Sequence, residues 1–103
     1  MNNQPTLAPK TTYGILLEHR EVQLSGARLS GKDSSYITLA IFHLGKAIDD
    51  ERFETAKNLT EDLLYLLAVG GRATKHRTET YNLASGLNQS LAAKISFLQD
   101  LAA

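Results

Sequence analysis

Between Tyr36 and Gly71 the apolar positions recur every three or four residues in two runs, divided by an acidic step and closed by two glycines. In the first run Tyr36, Ile37, Ala40, Ile41, Leu44 and Ile48 keep the i, i+3/i+4 spacing, and Leu39 and Phe42 widen the face. That pattern predicts a helix over 36–48, and a helix so apolar belongs in a core or an interface. In the second run Phe53, Ala56, Thr60, Leu63, Leu64 and Leu67 make one face, extended by Leu59, Leu66 and Val69. Asp49-Asp50-Glu51 falls at the joint, where negative charge suits the start of the second helix. Gly70-Gly71 supplies a left-handed stop after it. The expectation is a helical hairpin with the helix 36–48 at the centre of the fold and the rest of the chain covering it.

The last stretch is the most regular. Tyr81, Ala84, Leu87, Leu91, Ile95, Leu98 and Ala102 step by three or four throughout, with Phe97 and Leu101 just off the stripe. A helix beginning between Thr74 and Thr80 and ending near Leu101 follows. The first stretch supports two readings. Ile15, Val22 and Leu29 are spaced by seven, as are Leu17 and Leu24, which suits a helix from Thr11 or Thr12 onward. Tyr13, Ile15 and Leu17, then Val22 and Leu24, also alternate, as a β-hairpin over about 13–29 would require. Residues 1–11 are polar, contain Pro5 and Pro9, and read as a flexible arm; residues 12–103 read as one domain. The segment 30–35 is a loop whose Asp33, Ser34 or Ser35 suits a helix cap.

Composition narrows the class. A chain of 103 residues buries about 60–68% of its unfolded surface, enough for one core without staples. Hydrophobic residues at 43% and charged residues at 21% belong to a globular chain, not a disordered one. The absence of cysteine excludes disulfides, thiolate zinc sites and thiol nucleophiles. Net charge is zero, so an electrostatic partner must meet a local patch. The N-terminal residues lack the charged and apolar regions of a signal peptide. The longest apolar runs fall far short of the roughly 20 residues that span a bilayer. A soluble, cytoplasmic protein without membrane contact is expected.

Three features bear on chemistry. Arg72, Lys75, His76 and Arg77, with Lys94 further on, form a basic segment ahead of a helix start, a candidate contact for an anion or an acidic partner. Asp49, Asp50, Glu51, Glu54, Glu61 and Asp62, against Arg52 and Lys57, give the stretch 49–62 a net charge of −4. His19, His43 and His76 are scattered without metal-ligand spacing, and no phosphate-binding glycine loop is present. His43 reads as a core or interface residue within its apolar helix. His19 and His43, with Glu18, are the residues any catalytic cleft would have to use. Leu44-Gly45 followed by Phe53-Glu54-Thr55-Ala56 resembles one tetratricopeptide hairpin over some 21 residues. No second copy follows at the family's period of about 34 residues, so the resemblance implies hairpin geometry alone.

The fold class expected is all-α, a small bundle of three or four amphipathic helices, with α+β as the alternative if 13–29 is a hairpin. Wide apolar faces on three helices leave surface for a partner, and Tyr36, Phe42, Tyr65, Leu66, Tyr81 and Phe97 are the expected anchors. The expected function is that of a small non-enzymatic accessory protein, an adaptor, chaperone or inhibitor of bacterial or phage type, working by contact with another protein. A homodimer is the economical way to cover the spare apolar surface. The alternative is a nucleic-acid binder using residues 72–77. No cofactor, metal or catalytic residue is expected.

Overall fold

Thr11 starts the first helix. Its backbone is extended (φ −67°, ψ 163°), and its hydroxyl accepts from the N–H of Gly14 at 3.1 Å, one of the donors that a helix start leaves unpaired. The computed structural model describes residues 9–31, 34–69 and 74–103. Over these it forms four helices: α1 (Thr12–Gly26), α2 (Ser34–Asp49), α3 (Phe53–Val69) and α4 (Lys75–Ala102). Thr74 caps α4 as Thr11 caps α1, accepting from the Arg77 N–H at 3.1 Å. No strand occurs among the described residues, and the stretch expected as either helix or hairpin is helical to Gly26. The Gly70-Gly71 stop, a cap at Asp33 and all but residues 9–11 of the expected arm lie outside the described residues.

Each helix packs on its chain neighbours and α1 also packs on α4, while among the described residues the backbones of the diagonal pairs α1/α3 and α2/α4 stay apart. Side chains fix the directions. His19 and Gly26 of α1 meet Gly45 and Ile41 of α2, Thr60 of α3 meets Asn88 of α4, and Ser25 of α1 meets Thr80 of α4. Every neighbour is antiparallel, so the chain is an up-down-up-down four-helix bundle. The expectation that the helix 36–48 lies at the centre is therefore corrected. α2 occupies one corner, and its high apolar content comes from an outer face that is apolar too.

The core runs along the bundle axis. Ile15 and Val22 of α1, Ile37, Leu44 and Ile48 of α2, Leu63 of α3, and Leu87 and Leu91 of α4 are fully buried. Polar pairs fix the register between these apolar layers. The Thr80 hydroxyl donates to the His76 carbonyl at 2.7 Å, so Ser25, 2.6 Å from Thr80 Oγ1, is the donor of that shared bond. Asn88 Nδ2 donates to Thr60 Oγ1 at 2.7 Å, and the Thr60 hydroxyl donates to the Lys57 carbonyl at 2.6 Å. Burial without such partners would be costly.

α2 and α3 join through a tight closure. The Glu51 N–H reaches the Ile48 carbonyl at 2.9 Å and the Arg52 N–H reaches the Ala47 carbonyl at 2.8 Å, with Glu51 left-handed at φ 57°. Glycine usually takes that place because a Cβ is crowded there. Glu51→Gly is expected to stabilise the protein by about 1 kcal/mol, the lower end of the left-handed penalty. Urea unfolding checks it; an unchanged or lower midpoint would show that the Glu51 side chain offsets its backbone strain.

α4 has 28 residues against 15, 16 and 17 in the others. At 1.5 Å per residue it is about 42 Å long, where its neighbours reach about 25 Å. Lys94 Nζ lies 5.7 Å from the Phe53 ring centroid and 3.4 Å from the Lys10 carbonyl oxygen, which sets Lys94 level with the starts of α3 and α1. The overhang is thus the C-terminal part of α4, and Phe97, Leu98 and Leu101 are exposed on it. Among the described residues no helix is long and apolar enough to cross a membrane.

Candidate functional site

α2 shows how one helix serves both the core and the surface. Its inward face carries Ile37, Ile41, Leu44 and Ile48, while Tyr36, Leu39 and Phe42 stand outside at 68%, 53% and 59% exposure. The Phe42 ring meets His43 edge-on at 5.7 Å between centroids. Beside this row, toward α3, lies a depression of about 390 Å³ lined by Phe42, His43, Lys46, Ala47, Asp50, Arg52, Thr55 and Leu59. Aromatic and aliphatic groups around a shallow hollow with a charged margin make a surface suited to an apolar anchor. A second hollow, about 430 Å³, sits under the α4 overhang between Arg52, Phe53 and Glu54 and Ile95, Leu98 and Ala102.

The expected anchors do not form one patch. Tyr36 and Phe42 share the outer face of α2, and Leu66 is half-buried against the core. Tyr65 is exposed on α3 and Tyr81 partly so on α4, while Phe97 belongs to the overhang. Leu39 completes the α2 row and was legible from its spacing, yet it reads from sequence as part of a wide buried face. On α1 the two seven-residue rows part company. Ile15 and Val22 are buried, and Leu17 and Leu24 are exposed.

His43 is exposed, so of its two expected places the core is ruled out, because its position turns away from the inward row. His19 is buried; its Nε2 lies 2.9 Å from the Ile41 carbonyl oxygen, so the proton is on Nε2, since a carbonyl only accepts. Its ring fills the space that Gly45 leaves. A Cβ on Gly45 would come within 2.6 Å of His19 Cε1, and one on Gly26 within 2.6 Å of Ile41 Cδ1. His19, His43 and Glu18 therefore line no common cleft. Among the described residues no three His, Asp or Glu side chains gather as metal ligands.

Arg77 of the basic segment is committed to the fold. Its Nε donates to the Leu67 carbonyl and its Nη2 to the Leu66 carbonyl, both at 2.9 Å, so a guanidinium fork satisfies the open end of α3. Lys75 and His76 are exposed, and Arg72 lies outside the described residues. Arg77→Lys keeps the charge but loses the two-pronged geometry, and is expected to cost about 1 kcal/mol. Thermal unfolding checks it; a variant as stable as the parent would free Arg77 for another role.

In the acidic stretch, Lys57 donates to Glu61 at 2.6 Å. That hydrogen bond and the ammonium charge hold the Glu61 carboxyl below its ordinary range. Stability linked to it is present above the unfolded-state pKa and lost as pH falls through the folded value. Glu61 is solvent-exposed, so the contribution is small.

Set against known proteins, the chain matches no family model, no curated protein and no solved structure.

Proposed function

We propose that this chain is a small non-enzymatic accessory protein of the cytoplasm that works by binding another protein, with the outer face of α2 as its main contact. The observation that carries this reading is the row Tyr36, Leu39 and Phe42, three large apolar side chains more than half exposed over a core that is already complete without them. Water contact with such a row is unfavourable, and covering it is what a partner would gain. Phe42, at the edge of a hollow, is also the kind of aromatic group on which binding energy concentrates. The nucleic-acid reading loses ground because Arg77 is held by the end of α3.

Affinity capture followed by titration of the purified partner tests this. Phe42→Asp and Tyr36→Asp are expected to weaken binding by about a hundredfold, the scale of a lost hot spot. Lys75→Glu is expected to change it by less than about threefold, as a rim charge does. The reverse order, with binding that collapses in salt, would overturn the proposal in favour of a polyanion.

A further inference from the structure

The outer face of α1 is a second unpartnered row, and its charges say what fits it. Tyr13, Leu17 and Leu24 are 70%, 47% and 56% exposed, on the side of α1 away from Ile15, Val22 and Gly26. At about 100° per residue the three fall within about 40° of one another. Leu17, Arg20, Glu21 and Leu24 stand at i, i+3, i+4 and i+7, a lozenge with leucines along the helix and opposite charges on its flanks. Arg20 and Glu21 are exposed, and neither takes part in an ion pair among the described residues.

We propose that two copies of this chain associate through this face, with the two α1 helices side by side and parallel about a two-fold axis running along them. A two-fold axis along the helices carries the Arg20 flank of one copy onto the Glu21 flank of the other. Leu17 then meets Leu17, Leu24 meets Leu24, and two Arg20–Glu21 pairs close the sides. The antiparallel arrangement would set Arg20 on Arg20 and Glu21 on Glu21, and like charges in contact exclude it. The face complements itself only one way round. A heterologous partner would need to reproduce both charges and both leucines, whereas a second copy carries them already. The proposal shares with the functional reading the premise that spare apolar helix faces carry contacts. It uses a different helix, however, and leaves the α2 row to the other partner.

Sedimentation velocity over a concentration series, with charge-swapped variants, is the test. The parent protein is expected to dimerise as concentration rises. R20E, which sets two carboxylates together on each flank, is expected to weaken the dimer by about tenfold or more. The double variant R20E/E21R is expected to restore it. As a second readout, L24C is expected to form a disulfide-linked dimer on mild oxidation, faster than N58C on the diagonal helix α3; the parent has no cysteine to interfere. A parent that stays monomeric at every concentration would overturn the proposal, as would a double variant no better than R20E. None of these substitutions touches Tyr36 or Phe42, so this dimer can fail while binding through α2 stands, and the reverse.

Discussion

Leu44→Ala is expected to lower the stability of the protein by about 3 kcal/mol, within the range for a buried leucine cut back to its Cβ. Leu44 is fully buried and stands where α2 faces the bundle axis. Leu39→Ala, five residues earlier on the same helix, is expected to cost less than about 1 kcal/mol, since over half of that side chain is already in water. The sequence separates the two only by spacing, with Leu44 on the stripe and Leu39 beside it on one wide apolar face. The bundle separates them by placing helices on two sides of α2 and solvent on the others. Urea unfolding of both variants checks the pair. Equal losses would mean that the outer face of α2 is covered in the folded protein.

Gly45→Ala is expected to destabilise by about 2 kcal/mol, against its own intrinsic preference. Alanine favours a helix interior over glycine by about 1 kcal/mol. Here the added methyl would lie 2.6 Å from Cε1 and 2.9 Å from Nε2 of His19, whose ring is buried and bonded to the Ile41 carbonyl. The ring must give up that bond or α1 must move away from α2, and overpacking of this kind typically costs about 1–3 kcal/mol. The sign should reverse when the ring is gone. In a His19→Ala background, Gly45→Ala is expected to stabilise by up to about 1 kcal/mol, and the double-mutant cycle reports the coupling. Additive effects would show that His19 and Gly45 do not meet.

These two cases also mark where the sequence is informative. The hairpin over α2 and α3, the regular stripe of α4 and the cap at Thr11 follow from local spacing and residue type. α2, α3 and α4 are near their expected bounds, while the sequence leaves α1 open between helix and hairpin. The inward side of α1 does not follow. Ile15 and Val22 repeat by seven, and so do Leu17 and Leu24, and only packing on α2 and α4 selects the first pair. The placement of His19 is likewise a matter between helices, since nothing within α1 announces that Gly45, 26 positions on, leaves room for an imidazole. Arg77 reads as a free cation because its two carbonyl partners are ten and eleven residues away on another helix. The large apolar side chains were legible as residue types, but their grouping on the surface was not. Tyr36 and Phe42 share a face with Leu39, while Tyr65, Tyr81 and Phe97 lie on separate parts of the bundle.

The α2 row belongs to the surface of a fold complete without it. Urea unfolding of the triple variant Tyr36→Ser/Leu39→Ser/Phe42→Ser checks this. A cooperative transition is expected, with total stability within about 1–2 kcal/mol of the parent, as for exposed positions. A loss of several kcal/mol, or a variant that no longer unfolds cooperatively, would contradict it, because the row would then be holding the bundle together.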